Sequence, residues 1–402
     1  MKNQKGIALL VTLFAITIMI FLATEIGYNT QVELAIGASQ IDRLKAYYLA
    51  KSGIQISLLR IHVYKSVMQK FGGQLGNNKA ALDVIWQLPF SWPPMIPDDN
   101  ISSMDKEQLK DAIDKSYIDG TFSTKIEGEG SKIDLNDLGS PSEQLRKSVS
   151  VQLNQILQNR LEADDEWAKE NRGLKAQEIV NNIADWIDDD SESFNGGSES
   201  QYYSRTDPPI KPPNRPMKTL EELHMVAGVT DEIFNLLSPR VTVYGTKGIN
   251  VNLASAEVIR SIDPQITKEI SAAVIEKRND PNQGPFGNAG EFLSFVQSKG
   301  VRADKFNKDP EIPLLFDAEY NFRITSNGFY KKAQREIIAI VYDFDKVKGQ
   351  IATLLASASQ AGAQQQQQQG AAASSSPSPA HAAPAQTSGT SGPPHIIFWQ
   401  EF

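Results

Sequence analysis

The sequence predicts an α+β protein in which a long N-terminal helix packs on an antiparallel sheet that carries a large helical insertion. Three observations predict this class. Residues 7–24 form an uncharged apolar run. Strand-like alternation appears around 121–135 and again at 320–345. Between these strand regions, short helical patterns repeatedly begin at small polar residues that suit N-caps.

Composition narrows the classes of protein and of site. The chain has 402 residues, of which 40% are hydrophobic, so it can build more than one core. Its net charge of −8 argues against non-specific affinity for nucleic acid. With no cysteine and four histidines, thiolate sites are excluded and zinc has almost no ligands, whereas oxygen-rich Ca²⁺ sites remain open.

The apolar run predicts a membrane-spanning helix. IALLVTLFAITIMIFLAT at residues 7–24 has no charge, proline or glycine, and as a helix it spans about 27 Å. Thr12, Thr17 and Thr24 are tolerable there because threonine hydroxyls bond to backbone carbonyls one turn back. A helical pattern without proline continues to residue 60. The basic flank predicts a short cytoplasmic N-terminus and a remainder across the membrane.

A glycine stands directly between the basic flank and the apolar run. A cleaved secretory signal would carry its cleavage site after the run, where this chain has only the weak match TEIGYNTQVELAIGASQ. A plain signal anchor explains the charge but not the glycine. The stretch KGIALLVTLF resembles the leader of type IV pilins and pseudopilins. This resemblance implies that a prepilin peptidase cleaves after Gly6 and that Ile7 becomes a new, N-methylated N-terminus.

Val11 departs from that leader pattern. Major pilins have Glu at the fifth mature position, where its carboxylate is thought to pair with the N-terminal amine of a neighbour; here that position is Val11. A subunit without the carboxylate cannot neutralise a charged N-terminus above it in lipid. Val11 therefore predicts a place at the filament tip. Among type II secretion pseudopilins, this exception resembles the K subunit.

The segments after residue 60 alternate between sheet and helical domain. Residues 61–139 form the first part of the pilin domain, ending in a strand pair with its turn at Gly128 and Gly130. Residues 313–351 form the pilin sheet, with SNG as a turn and the following run as a central strand. Residues 352–394, with six consecutive Gln, are predicted to be disordered. HIIFWQEF at 395–402 is predicted to return as the terminal strand.

Residues 140–312 are predicted to form an inserted α-domain with two parts. The phrases KIDLNDL and INVNLASAEVI resemble the K subunit family, and the second also resembles SAM-like, helix-hairpin-helix domains. Such modules often bind DNA, so a DNA-binding pilin-like protein for uptake is the alternative. Asp231 and Glu232 stand where basic residues would be needed. The resemblance implies a pilin fold with a SAM-like insertion.

An acidic loop at 185–203, DWIDDDSESFNGGSESQYY, is the candidate metal site. Five carboxylates lie within twelve residues, and Ca²⁺ accepts such oxygen ligands in flexible geometry. Composition alone fits a solvated loop equally well. K subunits carry a similar acidic loop, and family members bind Ca²⁺. Asp185 and Trp186 are assigned to the preceding helix. Matching by position to that family loop gives Asp188, Asp190 and Glu199 as the first-choice ligands. Asp189 and Glu192 are the secondary ligands.

Together these features resemble the minor pseudopilin K family of type II secretion. The resemblance implies a non-enzymatic inner-membrane protein at the tip of the periplasmic pseudopilus, exporting folded proteins across the outer membrane. The implied partners are minor pseudopilins I and J, and H in addition, with the major pseudopilin G, the prepilin peptidase and the inner-membrane assembly platform, and no nucleic acid. A signal-anchored periplasmic enzyme would need an active site, and no catalytic motif is present.

Overall fold

A computed structural model of the chain describes residues 4–71, 74, 80–94, 103–204, 209–280, 282–316, 318–343 and 394–402. The predicted low-complexity insertion lies outside these residues, except for Pro394. The described part combines helices with an antiparallel sheet, which confirms the α+β class.

Helix α1 runs without interruption from Gln4 to Phe71, farther than the predicted end at residue 60. It continues because the next residues still bury an apolar face, with Ile61 and Tyr64 fully buried against the sheet. Its first half exposes its apolar side chains, and it is the one helix in the described residues long and apolar enough to cross a membrane. The hydroxyls of Thr12, Thr17 and Thr24 donate to carbonyls one turn back, as predicted.

The segment after α1 contains three further elements. These are α2 at Ala80–Gln87, β1 at Phe90–Trp92 and α3 at Ser103–Asp114. The amphipathic face of α2 packs Trp86 edge-on against Phe322 at 5.2 Å between ring centroids. Burial of the Trp86 ring holds α2 against the sheet. Because this contact is tertiary, the sequence of the eight residues in α2 does not reveal it.

The main sheet has five antiparallel strands in the order β1-β2-β7-β8-β9. Its members besides β1 are β2 at Thr121–Gly128, β7 at Asn321–Tyr330, β8 at Ala333–Tyr342 and β9 at His395–Glu401. The second predicted run, β8, lies between two strands, and β9 pairs with it across a register shift at Ile340/Val341. The sequence predicted both the central position of β8 and the returning terminal strand.

Two turn predictions are wrong, for reasons of tertiary packing. The stretch 121–135 is not a hairpin, because after Gly128 the chain enters a 3₁₀ turn at Glu129–Ser131 and leaves the sheet. The SNG stretch is not a turn, because Gly328 continues β7 under α1. A Cβ on Gly328 would lie 2.1 Å from the Ala46 carbonyl oxygen, so glycine is required by the close approach of helix and strand.

The helical domain lies between β2 and β7 in the sequence. Its helices are α4 at Glu143–Ala163, α5 at Asp165–Glu170, α6 at Ala176–Ile187, α7 at Ser200–Tyr203, α8 at Asp231–Leu237, α9 at Ala256–Arg260, α10 at Lys268–Asn279 and α11 at Ala289–Ser298. Thr230, Ser255 and Thr267 cap α8, α9 and α10 through their side chains. Residues Leu220–Met225 form a 3₁₀ turn.

Short parallel strand pairs and a polar junction connect this domain to the sheet. Strand β3 at Ile133–Asp134 pairs with β4 at Val241–Thr242, and β5 at Ile249–Asn250 pairs with β6 at Leu314–Leu315. The Arg323 side chain of β7 donates to the buried Glu129 carboxylate at 2.5 Å. The Tyr342 hydroxyl of β8 donates to the Tyr244 and Gly245 carbonyls at 2.8 and 2.9 Å. These bonds fix the domain to the pilin-like body.

Candidate metal centre

The predicted acidic loop leaves the C-terminal end of α6 and returns at α7. Helix α6 presents Asp185 in its last turn, with 3% of its surface exposed. The Ser193 hydroxyl donates to Asp185 Oδ2 at 2.7 Å, and the Phe194 backbone N–H donates to Oδ1 at 3.0 Å. Gly196 and Gly197 both have φ of +90°, which turns the chain back toward α6. The loop is thereby folded onto Asp185.

The turn brings three carboxylates together. Asp185, Asp188 and Glu199 each present an oxygen within 4.8 Å of the other two, and no other such group of acidic or histidine side chains occurs in the described residues. Asp188 follows α6 as its C-cap, and Glu199 directly precedes α7. Glu199 is 5% exposed. The cluster is therefore largely withdrawn from solvent.

Asn214 completes the cluster from a distant part of the chain. Its side-chain amide donates to the Asp190 carbonyl oxygen and, at 3.1 Å, to Glu199 Oε2. Asn214 has φ of +45°, a conformation that asparagine tolerates better than most residues. Its carbonyl oxygen Oδ1 is buried. The Asn214 side chain thus lies beside Glu199 and carries a further buried oxygen.

Burial and mutual repulsion disfavour the charged forms of these acids. Burial, followed by the charges of Asp190 and Asp185, raises the pKa of Asp188 to about 6. Burial, followed by the charges of Asp188 and Asp185, raises the pKa of Glu199 to about 7. Burial also raises the pKa of Asp185, against the hydrogen bonds from Phe194 and Ser193. A cation at the cluster would offset both causes.

Three buried oxygens of the cluster show whether a cation fits there. Asp188 Oδ1, Glu199 Oε1 and Asn214 Oδ1 have no hydrogen-bond partner in the parts of the chain that the structure describes. A buried polar atom without a partner is costly. Carboxylate, amide and backbone oxygens are the donors that Ca²⁺ takes in sets of six to eight. The residues present therefore fit an oxygen-ligated divalent cation.

The predicted ligands separate into two groups. Asp188 and Glu199 lie in the cluster, whereas the side chains of Asp189, Asp190 and Glu192 are exposed outside it. Asp190 Oδ1 instead accepts the Glu192 backbone N–H at 2.8 Å. Their roles as ligands stay predictions.

Sequence reasoning did not select Asp185 or Asn214 as ligands. Asp185 had a usable signal, because positions three apart share one helix face and Asp188 follows it at that spacing. Asn214 had none, since it reaches the loop only through the tertiary fold. Asp185 and Trp186 both lie in α6, which confirms their assignment to that helix. Trp186 is 3% exposed, and its ring centre lies 5.3 Å from that of Tyr203.

The leader residues lie at the start of α1. Gly6 and Ile7 belong to its first turns, and Val11 follows in the apolar run with an exposed side chain. Cleavage after Gly6, methylation of Ile7 and the tip-determining role of Val11 stay predictions.

Comparisons with known proteins place this architecture in a family. Two family models described as type II secretion system (T2SS), protein K match residues 131–246 and 249–310. The type II secretion system protein K of Aeromonas hydrophila is 24% identical over 289 residues, covering 69% of this chain and 72% of the relative. The putative type II secretion system protein K of Escherichia coli K12 is 42% identical over 77 residues, which cover 19% of this chain and 23% of that relative.

A solved structure shares the fold. The GspK-GspI-GspJ complex from the type 2 secretion system of enterotoxigenic Escherichia coli contains a chain that matches with a TM-score of 0.52. The match covers 76% of this chain and 93% of that chain at 15% identity, so the likeness concerns the fold. The candidate metal loop and Asn214 lie within the first matched family segment. The chain belongs to the type II secretion system protein K family.

Proposed function

We propose that this chain is the minor pseudopilin that caps the pseudopilus tip of a type II secretion system. It acts there with the I and J subunits and helps to initiate assembly for export of folded proteins across the outer membrane. The observation that carries this proposal is one architecture: a membrane-length spine helix joined to a bulky helical domain. A fold relative occurs in a complex named for the K, I and J chains.

The spine helix supports a position at the end of a filament. Val11 leaves α1 without a carboxylate in its apolar run, so this subunit offers no partner to the N-terminal amine of a subunit above. The proposal includes cleavage after Gly6, an inner-membrane anchor with the rest of the chain periplasmic, and contacts with subunits H and G and the assembly platform. Its role is structural.

The direct test is co-purification of the full chain, in detergent, with the I and J subunits of the same system. A tag on this chain is expected to retain both partners in one complex. Recovery of the chain alone, under conditions where it remains folded, would contradict the proposed place at the tip.

Val11→Glu tests the spine argument separately, with Val11→Ile as its matched control. At the tip no amine lies above to pair with a new carboxylate, and a carboxylate inside the bilayer costs about 3 kcal/mol. We expect Val11→Ile to support secretion at the wild-type level and Val11→Glu to reduce it. Equal secretion by both variants would show that Val11 does not determine the position.

We further propose a structural Ca²⁺ at the acidic cluster. Asp185, Asp188 and Glu199 would supply carboxylate oxygens, with Asn214 Oδ1 and the Asp190 carbonyl as neutral ligands. Bound there, the ion would offset the burial and the repulsion that raise the pKa values of Asp188 and Glu199. It would join α6, α7 and the chain at Asn214 and so stabilise the helical domain.

A further inference from the structure

The helical domain contains the same hydrogen-bonded arrangement twice, once between β3 and β4 and once between β5 and β6. In each part an asparagine follows the first strand by two positions, Asn136 after β3 and Asn252 after β5. The side chain of the residue that ends the strand, Asp134 or Asn250, accepts the backbone N–H of this asparagine at 3.1 Å. Asn136 belongs to the KIDLNDL phrase and Asn252 to INVNLASAEVI. We call Asn136 and Asn252 the clamp asparagines.

Both clamp asparagines bind a segment that is distant in sequence, and they bind it in the same way. Asn136 Oδ1 accepts the Met217 N–H at 2.7 Å, and the Asn136 amide donates to the Met217 carbonyl at 3.0 Å. Asn252 makes the equivalent pair of bonds with Phe286, at 2.8 and 2.9 Å. Each amide also donates to the carbonyl just after the paired strand β4 or β6, at 3.0 and 3.3 Å. Each clamp therefore joins a strand pair to a later segment of its own part.

The two parts differ in the chain that leads to the clamped residue. In the second part, residues 280–285 connect α10 to Phe286, and the buried Lys277 ammonium closes this connection. Lys277 Nζ donates to the Gly284 carbonyl at 3.2 Å and to Glu291 Oε1 at 2.7 Å. In the first part, residues 188–216 connect α6 to Met217, and they contain the acidic loop. The short connection thus has a cation of its own, whereas the long one brings carboxylates together.

The clamped Met217 lies three residues after Asn214, which contacts the acidic loop. Asn214 donates to the Asp190 carbonyl and to Glu199 Oε2, so it ties the two ends of the 190–199 stretch together. Met217 is buried in the core of the helical domain, where packing and the clamp both fix it. Pro216 stiffens the link between them because its ring fixes φ. The position of Met217 therefore limits where Asn214 can lie.

We propose that Asn136 is a positioning residue of the candidate metal centre. It holds Met217 so that Asn214 stays against Glu199 with its buried Oδ1 available to the cation. This inference rests on the structural Ca²⁺ proposed above. Asn252 makes the same set of bonds to a segment outside the acidic cluster, so it is an internal control. Loss of either clamp removes equivalent hydrogen bonds, but only loss of the Asn136 clamp changes ion binding.

The first test is isothermal titration calorimetry of Ca²⁺ with the full chain in detergent, as wild type, Asn136→Ala and Asn252→Ala. Both substitutions remove a clamp and are expected to lower Tm in EDTA to a similar extent. Asn136→Ala is expected to raise the Kd for Ca²⁺ about tenfold, and Asn252→Ala by less than about twofold. Equal Kd values for wild type and Asn136→Ala, or equal weakening in both variants, would overturn the proposal. Asn136→Ser and Asn252→Ser, which keep a hydroxyl, give the same comparison if an alanine variant does not fold.

A double-mutant cycle with Asn214→Ala shows whether Asn136 acts through Asn214. Asn214→Ala removes the positioned amide itself, so adding Asn136→Ala is expected to weaken Ca²⁺ binding no further. A second loss of about tenfold in the double variant would show that the clamp does not act through Asn214 and would overturn the proposed route.

Hydrogen exchange in EDTA separates this inference from the proposed Ca²⁺ site, because the clamp acts on the ion-free chain as well. Asn136→Ala is expected to speed amide exchange in the 190–199 stretch at least about fivefold, whereas Asn252→Ala leaves it unchanged. This difference in a wild type that binds no Ca²⁺ would refute the ion and support the hold of the clamp on Asn214. Unchanged exchange in Asn136→Ala, with wild-type Ca²⁺ affinity, would refute the clamp and leave the ion in place.

Discussion

The sharpest prediction concerns Glu199→Gln, compared with Glu192→Gln as a matched control in the same loop. Glu199 is buried in the three-carboxylate cluster, whereas Glu192 is exposed outside it. Gln at position 199 keeps an oxygen that can accept from Asn214 and nearly the same volume, so it removes the charge with little change in packing. The prediction is that the effect of this substitution on stability changes sign with Ca²⁺.

The magnitude without Ca²⁺ follows from charge repulsion. At pH 8, above the raised pKa values of Asp188 and Glu199, three carboxylates lie within 4.8 Å of one another. Two unit charges at that separation repel by about 3.5 kcal/mol at an effective dielectric constant of about 20. Screening by solvent at the partly exposed Asp188 reduces this repulsion, so we expect Glu199→Gln to stabilise the ion-free protein by about 1–2 kcal/mol.

The magnitude with Ca²⁺ follows from linkage. At a free Ca²⁺ concentration about 100 times its Kd, binding stabilises the wild type by about 2.7 kcal/mol. For a cooperative unit of about 150–250 residues, such as the helical domain, that corresponds to a rise of about 5–10 °C in Tm. Removing one of three carboxylate ligands is expected to eliminate most of this rise in Glu199→Gln, and Glu192→Gln is expected to keep it.

Thermal melts of the full chain in detergent, with EDTA and with millimolar Ca²⁺, measure both effects. Three results would refute the reasoning. The first is an equal Ca²⁺-dependent rise in wild type and Glu199→Gln, the second is no rise in wild type, and the third is a rise lost in Glu192→Gln but kept in Glu199→Gln. The third outcome would move the site to the exposed acids of the loop.

Two further predictions concern the spine and the junction. Gly328→Ala places a Cβ 2.1 Å from the Ala46 carbonyl oxygen, so chemical denaturation should show a loss of about 3 kcal/mol or more, whereas Gly37→Ala, with open space around it, should stabilise slightly. Arg323→Gln should cost about 3–5 kcal/mol at pH 7, because it leaves the buried Glu129 carboxylate without its closest cation. Burial tends to raise the pKa of Glu129, but Lys132 and Arg323 outweigh it and hold that pKa below the ordinary value. A group with a lowered folded pKa stabilises above its unfolded pKa, near 4.5, and loses that contribution as the pH falls. The Arg323→Gln deficit should therefore shrink in denaturation measured near pH 4, and an equal deficit at both pH values would contradict this account.

Patterns with a strong local period were predictable from the sequence. In the membrane span, the spine helix and the central strand β8, hydrophobic residues recur at a regular spacing over many positions. That spacing is set by the backbone geometry of a helix or a strand, so it can be read from the sequence. The end of α1 and the short elements α2, β1 and α3 were not predictable. The end of α1 and α2 form because Tyr64 and Trp86 pack against Phe322, a residue more than 230 positions later.

The candidate metal centre shows the same division. Charge density marked the loop as a whole, since five carboxylates in one short segment need a counter-charge or solvent. The family resemblance then ranked Asp188, Asp190 and Glu199 first. Which acids converge depends on where α6 ends and on how the glycine pair turns. Those features bury Asp185 and leave Asp189 and Glu192 exposed. Asn214 enters the cluster only because the chain after α7 packs back on the loop.

The sequence by itself determined the α+β class, the apolar spine with Val11 in it, and the acidic loop, because each is a property of neighbouring residues. The tertiary structure alone decided that β2 pairs with β7 rather than with its successor and that Gly328 lies inside a strand. It also decided that Asp185, Asp188, Glu199 and Asn214 share one cluster. The physical reason is that close packing joins residues distant in sequence, and the pattern of one segment does not specify its distant neighbour.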